Sequence, residues 1–119
     1  MKSKYFTREE FKCKCGCGYN TVDVELLGIL EDVRSHFNEP VVINSACRCV
    51  EHNTAVGGSV GSQHLLGRAA DIVISDIPSR IIHEYLVSTY PDSLGIGLYA
   101  NFVHTDSRDT KARWDFSQN

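Results

Sequence analysis

The sequence predicts an α+β fold, a single domain in which helices flank an antiparallel sheet. Two segments with helical periodicity alternate with β-branched runs, and the last part of the chain has the pattern of a hairpin. At 119 residues, with 42% hydrophobic residues, the chain is long enough to build one hydrophobic core. Residues 1–119 are therefore predicted to form one domain, of which residues 1–20 are a cysteine-rich segment.

The first predicted elements are two helices. Thr7 is followed three residues later by Glu10, which is the pattern of a capping box and predicts a short helix. Between residues 22 and 37, apolar residues recur at the spacing of one helical face: Leu26, Leu30, Val33 and Phe37. Asn38 and Pro40 supply the signals that end this helix.

Two predicted strands follow, separated by a long connection. The β-branched run at residues 41–45 predicts a buried strand, and residues 69–74 predict a second one. Residues 49–62 between them are polar and contain several glycines, which predicts a long loop. Long loops in small domains are often functional, and this one ends at a histidine-containing motif.

A helix and a hairpin complete the predicted elements. Asp76 and Pro78 are start signals for a helix that runs to about Tyr90. Residues 95–99 and 102–108 then have the pattern of two strands joined by a two-residue turn at Ala100 and Asn101. Asparagine suits such a turn because it tolerates left-handed backbone angles.

Composition and charge argue against nucleic-acid binding and against insertion into a membrane. The net charge is −3, whereas a nucleic-acid binder is expected to carry a basic patch. No apolar run approaches the roughly 18 residues of a membrane-spanning helix. The polar residues 1–10 lack the apolar stretch of a signal peptide. We therefore expect the protein to be made in the cytoplasm. We also expect it to be a monomer.

Five cysteines are many for a chain of this length: Cys13, Cys15, Cys17, Cys47 and Cys49. An odd number without a signal peptide argues against a complete disulfide framework. Three states stay open: reduced thiols, one or two disulfides formed after release, or a second, structural zinc held by four thiolates. Structural zinc ligands are usually separated by about two to four residues, so the one-residue gaps argue against the last state. A cysteine-based enzyme is disfavoured because no histidine is obviously paired with Cys47 or Cys49.

The candidate chemistry lies in two histidine-containing motifs. Residues 62–71 have the pattern Ser-x-His-x-x-Gly-x-Ala-x-Asp, and residues 102–106 read Phe-Val-His-Thr-Asp. Two imidazoles and one carboxylate are the protein ligands of many catalytic zinc sites, which keep a fourth position for water. The two-residue period of a strand places His104 and Asp106 on the same face.

These motifs resemble those of the zinc D-Ala-D-Ala carboxypeptidase and murein endopeptidase family, which has the hedgehog-like metallopeptidase fold. Further segments carry the resemblance in the same order along the chain. Residues 44–53 contain the Ser-x-x-Arg pattern, and residues 56–58 resemble the glycine turn before the first zinc motif. Lys111–Trp114 resembles the end of a compact branch found in phages and prophages. The resemblance extends from about Phe11 to Trp114.

The resemblance implies one catalytic Zn²⁺ bound by His64, Asp71 and His104. It implies an α+β domain like the one that the periodicity predicts. The groups that bind the substrate and the general base would come from residues other than these three ligands.

Three further residues are candidates for contact with the substrate, and two of them, Arg48 and Ser62, match positions of the family. The resemblance implies that Arg48 binds a substrate carboxylate or stabilises the oxyanion, a role that suits its planar guanidinium. It implies that Ser62 hydrogen-bonds the substrate, and Trp114 is a candidate wall of the cleft. Each also has a structural interpretation: an ion pair for Arg48, a loop hydroxyl for Ser62 and a core position for Trp114.

The general base is the residue that the resemblance determines least. Several branches of the family have an acid three residues before the second histidine, where this chain has Asn101, which cannot take a proton from water. Asp106 is the candidate catalytic base. The alternatives for Asp106 are support of a metal ligand or a pair with Arg108. A base from elsewhere, or a poorly catalytic domain, also stays open.

The resemblance implies a zinc metallopeptidase that hydrolyses peptide stems or cross-links of bacterial peptidoglycan. It would be a D,D-carboxypeptidase or an endopeptidase such as an endolysin, and D-Ala–D-Ala, D-Ala–diamino acid and L-Ala–D-Glu bonds are all open. We expect it to act at the cell wall after phage lysis, or as part of a phage particle. The alternative is a non-catalytic zinc module that binds cell wall or a protein partner, as the hedgehog domain shows for this architecture.

Overall fold

The computed structural model describes residues 3–118, so Met1, Lys2 and Asn119 of the predicted domain lie outside the described residues. Its strands are β1 (Val41–Ser45), β2 (Ala69–Ile74), β3 (Gly95–Tyr99), β4 (Val103–Asp106) and β5 (Ala112–Phe116). They form one sheet in the order β1-β2-β4-β3-β5. Neighbouring strands are antiparallel except β3 and β5, which are parallel. The predicted α+β class is confirmed, and β5 is an addition that the sequence did not predict.

Among the described residues, three α-helices and two short 3-10 helices accompany the sheet: α1 (Val24–Phe37), α2 (Val50–Ala55), α3 (Ser79–Thr89), and the 3-10 helices Arg8–Phe11 and Gln63–Leu66. The predicted capping box is present, because the backbone N–H of Thr7 donates to Glu10 Oε1 at 3.0 Å. No helix within residues 3–118 is long and apolar enough to cross a membrane.

Helix α1 begins and ends where local chemistry predicts. The carboxylate of Asp23 accepts the backbone N–H of Leu26, which satisfies one of the free donors of the first turn. Asn38 adopts a left-handed φ of 53° and closes the helix. The predicted apolar face is buried at Leu26, Leu30 and Val33, and Phe37 packs at the edge of the core.

The predicted long connection over residues 49–62 contains a short helix, α2, whose bounds the sequence did not predict. Six residues are too few for a helical periodicity to become visible, and valine, histidine, asparagine and threonine have modest helix propensities. Tertiary contacts compensate for the short length. Cys49 Sγ accepts the backbone N–H of His52, and the amide of Asn53 donates to the carbonyl of Ser59.

The hydrophobic core lies between one face of the sheet and helices α1 and α3. From β2, the side chains of Ala70, Ile72 and Ile74 enter this core. Because successive side chains of a strand alternate between faces, Asp71 lies on the opposite face, away from the core. The predicted hairpin is confirmed by the bond from the N–H of Tyr99 to the carbonyl of Phe102 at 3.0 Å.

One row of residues across the sheet positions the candidate site. The strand register pairs Ser45 with Asp71, Asp71 with His104, His104 with Gly97, and Gly97 with Trp114. Residues in register on neighbouring strands point to the same face. Two of the predicted metal ligands therefore stand side by side on the face that does not carry the core.

Candidate metal centre

His64, Asp71 and His104 come together into one cluster in the described structure. One ligand atom from each lies within 4.8 Å of the others. His104 Nδ1 is 3.0 Å from Asp71 Oδ1, and His64 Nε2 is 3.4 Å from the same oxygen. All three residues are buried, so few water molecules compete for these polar atoms. We call this group the metal triad.

Hydrogen bonds on the far side of each ring orient the two imidazoles. His64 Nδ1 donates to the carbonyl of Ala46 at 2.6 Å, since a carbonyl can only accept. His104 Nε2 donates in the same way to Asp106 Oδ2 at 2.7 Å. The unprotonated nitrogen of each neutral ring then faces Asp71. Backbone carbonyls and carboxylates hold metal-binding histidines in this way.

The donor set and spacing of the triad fit a zinc ion. Zinc bonds to histidine and carboxylate are about 2.1 Å long, so tetrahedral ligand atoms lie about 3.4 Å apart. The distances of 3.0 and 3.4 Å to Asp71 Oδ1 are close to that value. Two nitrogen lone pairs aimed at a carboxylate oxygen repel it unless a cation lies between them. The residues present therefore fit the ion that their chemistry predicts.

The pKa values of the triad reflect this convergence of opposite charges. Burial alone would raise the pKa of Asp71. When the ring nitrogens that face it carry protons instead of a metal ion, hydrogen bonds from His104 and His64 hold that pKa well below its usual range. Burial alone would lower the pKa of His104, but the carboxylates of Asp106 and Asp71 raise it above its usual value. The site therefore favours a charged carboxylate and attracts positive charge, whether a proton or a metal ion.

A 3-10 turn carries His64 to the sheet. Ser62 Oγ accepts the backbone N–H of His64 at 3.1 Å and starts this turn. Gly67 ends it with a left-handed φ of 67°, and a side chain there would overlap the backbone of Thr21. Ser62 also lines the cleft beside the triad, so its position is compatible with both predicted roles, substrate contact and loop hydroxyl.

Arg48 reaches the triad from the other side and is held in place by three acceptors. Its guanidinium donates to Ser45 Oγ at 3.2 Å, to Asn53 Oδ1 at 3.0 Å and to Asp71 Oδ2 at 3.5 Å. Asn53 is almost fully buried and also bonds Ser59, so it couples Arg48 to the glycine-containing loop. The structural pair with Asp71 is thus present, and Arg48 still lines the cleft. Sequence reasoning missed Asn53 because only the fold reveals its burial.

Asp106 is fully buried and both of its oxygens are engaged. Oδ1 accepts from the N–H of Gly95 at 3.0 Å and from Arg108 Nε at 2.8 Å. Oδ2 accepts from His104 Nε2 and from Arg108 Nη2, both at 2.7 Å. Burial would raise the pKa of Asp106, but His104 and Arg108 lower it far below its usual range. These contacts argue against the predicted general base and favour the alternatives, support of His104 and the pair with Arg108.

We expect Asp106→Asn to weaken zinc binding. The amide keeps one acceptor for His104 but loses the charge that favours the correct ring tautomer, and partners of this kind contribute about 10- to 100-fold in metal affinity. Chelator competition measures the zinc dissociation constant, and turnover is measured at saturating zinc. Asp115→Asn on β5 is the control, because Asp115 does not line the cleft. Unchanged zinc affinity with turnover abolished would instead restore the general-base role.

The triad opens into a cleft of about 440 Å³. Its aromatic wall consists of Tyr99 and Phe102, whose rings stack at 4.3 Å, and Trp114, whose Nε1 donates to Tyr99 Oη at 3.0 Å. The Trp114 ring lies 5.0 Å from that of His104. Trp114 is half-buried and forms part of the cleft wall. Asn101 is exposed in the turn before β4 and does not line this cleft.

Two glycines on β3 make room for the site, and sequence reasoning missed both. A Cβ at Gly97 would overlap the indole of Trp114, and a Cβ at Gly95 would overlap the carboxylate of Asp106. The available signal was the Gly-x-Gly pattern inside a predicted strand, since a glycine in a strand often marks close approach of another group.

Comparison with protein families matches residues 4–106 to the family model described as Peptidase M15. This range covers most of the chain and contains the whole metal triad, Arg48 and Asp106. It ends before β5, so Trp114 and the predicted end segment lie beyond it. A comparison with curated proteins found no match.

Proposed function

Because the chain belongs to the Peptidase M15 family of zinc peptidases, we propose that it hydrolyses peptide bonds in the stems or cross-links of bacterial peptidoglycan. The reaction would be that of a D,D-carboxypeptidase or an endopeptidase. The single observation that carries the proposal is the convergence of His64 Nε2 and His104 Nδ1 on Asp71 Oδ1 at the base of a cleft. This arrangement matches a catalytic zinc with three protein ligands.

In this proposal the chain binds one Zn²⁺ through the triad. A zinc ion in such a site supplies an acidified water as nucleophile and polarises the scissile carbonyl. The carbonyl of Ala46 and the carboxylate of Asp106 keep both imidazoles in the orientation that metal binding needs. Burial of the triad keeps bulk water away and strengthens its electrostatic interactions.

The charges and aromatic groups of the cleft suit a peptide that carries free carboxylates. Arg48 and Arg108 both line the cleft, and Arg48 lies next to Asp71. A guanidinium binds a carboxylate or a developing oxyanion through two parallel donors. Peptidoglycan stems carry such carboxylates. The aromatic wall of the cleft adds a flat apolar surface. We therefore assign Arg48 the substrate-binding role and Trp114 a place in the wall of the binding site.

The biological setting is part of the same proposal. The end segment Lys111–Trp114 supports the compact phage- and prophage-type branch, and thus an endolysin or a component of a phage particle. The protein would reach the cell wall after lysis and act there as a monomer. Its partner would be peptidoglycan, without nucleic acid and without membrane insertion.

A second candidate function is a zinc module that binds cell wall or a protein partner without cleaving it. The observation that favours it is the lack of a free general base: among the described residues that line the cleft, Asp71 is the only carboxylate. Asp106 is covered by its donors and is not among these residues.

Incubation with intact peptidoglycan, with and without a chelator, distinguishes the two functions. We expect new peptide termini, found by mass spectrometry, that disappear with the chelator and return when zinc is restored. The mass of the released fragment identifies the bond that is cut. Asp71→Ala is the matched inactive control. No new termini from protein with zinc confirmed in the triad would contradict the peptidase and support the binding module.

A further inference from the structure

Four of the five cysteines form a second group of candidate ligands, away from the metal triad. Cys13, Cys15, Cys17 and Cys49 place their sulfurs within 4.8 Å of one another. We call this group the cysteine cluster. Cys13 is buried, Cys49 is half-buried, and Cys15 and Cys17 are exposed, so solvent ions reach the group without unfolding.

The sulfur separations match the edges of a tetrahedral metal site. They are 3.5 Å between Cys13 and Cys15, 3.8 Å between Cys13 and Cys49, and 3.6 Å between Cys15 and Cys49. Zinc–sulfur bonds of about 2.3 Å place tetrahedral sulfurs about 3.8 Å apart. A disulfide needs about 2.05 Å, and none of the five cysteines, all of them among the described residues, forms one. The spacing therefore fits four thiolates around one ion better than it fits bonded pairs.

A tight turn explains how ligands separated by one residue converge. In an extended strand, side chains two residues apart are about 7 Å apart. Here the N–H of Cys13 donates to the carbonyl of Tyr19 at 2.7 Å, which closes the segment into a loop. Gly16 and Gly18 have φ of 83° and 90°, a left-handed region that favours glycine. The one-residue spacing, which is shorter than the usual spacing of zinc ligands, is compatible with zinc binding in this turn.

Backbone donors point at the sulfurs of the cluster. The N–H of Cys49 donates to Cys13 Sγ, and the N–H of His52 donates to Cys49 Sγ, both at 3.4 Å. Hydrogen bonds of this kind favour the negatively charged form of sulfur, which is the form that binds metal. Cys47 behaves differently, because its thiol donates to the carbonyl of Tyr19 at 3.0 Å and it is not part of the cluster.

We propose that Cys13, Cys15, Cys17 and Cys49 bind a structural zinc ion, separate from the ion of the metal triad. This ion ties the N-terminal segment to the start of α2, where Cys49 follows Arg48 directly. The N–H of Cys47 also bonds the carbonyl of Phe11, so the same two segments already meet beside the cluster. The site holds Arg48 and the edge of the cleft in position without touching the substrate.

Cobalt substitution tests the proposal on the wild-type protein. Protein kept under reductant and loaded with Co²⁺ is expected to show intense near-ultraviolet absorption from sulfur-to-cobalt charge transfer. The metal triad contains no sulfur and cannot produce this band. The His64→Ala/His104→Ala variant should therefore keep it, which separates this site from the proposed peptidase centre. Absence of the band from reduced wild-type protein would overturn the proposal.

Zinc analysis of purified variants gives a second, independent test. We expect two zinc ions per wild-type chain, one in Cys15→Ser/Cys17→Ser, and two in Cys47→Ser, the matched control. The exposed positions of Cys15 and Cys17 make the double variant the one that disturbs the core least. Equal zinc content in wild type and the double variant would refute the site. So would alkylation of denatured, unreduced protein that modifies none of the four cysteines, since this would show them to be disulfide-bonded.

Discussion

Replacement of His64 by alanine is expected to remove one zinc ion per chain and abolish peptidase turnover. The variant leaves Asp71 and His104 as two ligands, too few for the three-ligand site that catalytic zinc uses. A bound zinc contributes several kcal/mol of transition-state stabilisation, so turnover should fall on the order of 10³-fold or more. Elemental analysis and fragment release from peptidoglycan measure the two losses on the same preparation.

The control for this experiment is His36→Ala, which also removes an imidazole. His36 lies on α1, stacks on Tyr85 at 3.7 Å and does not line the cleft. Zinc content and turnover should match those of the wild type. If His64→Ala kept the zinc content of the wild type, the assigned triad would be incorrect. Loss of zinc with turnover retained would show that hydrolysis takes place elsewhere.

Arg48→Lys is expected to keep the zinc of the triad and to lose about 10²- to 10³-fold in turnover. Lysine preserves the positive charge near Asp71 but not the planar pair of donors that binds a carboxylate or an oxyanion. The magnitude is that of removing one oxyanion donor in other hydrolases. Measuring kcat and KM separately shows whether Arg48 acts on the transition state or on ground-state binding.

Arg34→Lys is the matched control, since Arg34 lies on α1 over the ring of Tyr5 and does not line the cleft. Its turnover should equal that of the wild type. Near wild-type turnover in Arg48→Lys would show that Arg48 is only a structural partner of Asp71. Zinc loss in Arg48→Lys would instead show that Arg48 acts by positioning Asp71. The variant also removes a donor from the buried side-chain amide oxygen of Asn53, which can lower the stability of the fold. A thermal melt distinguishes that effect from both results.

Most secondary structure follows from short-range patterns and was predictable. Strand β1 and strand β2 have the predicted boundaries, and α1 is shorter than predicted by two residues at its start. These elements have strong local signals, a β-branched run for strands and a recurring apolar face for α1. Helix α2 and strand β5 were missed, because a six-residue helix shows no periodicity and β5 depends on parallel pairing with β3.

The residue types of the candidate site could also be predicted from the motifs. The resemblance of the two motifs to the zinc peptidase family implied two histidines and one carboxylate as zinc ligands, and the structure brings all three together. The role of Asp106 could not be predicted from the sequence. Its position two residues after His104 suits a base or a support equally, and only the contacts with Gly95 and Arg108 favour the support.

The sequence by itself determined the fold class, the chemistry of the triad and the presence of five thiols. The tertiary structure alone decided which groups meet. Register across three strand pairs aligns Asp71, His104, Gly97 and Trp114, and a glycine turn brings Cys13 to Cys49. Local patterns reflect interactions over a few residues. Convergence of distant residues depends on strand pairing and on core packing, which involve the whole chain.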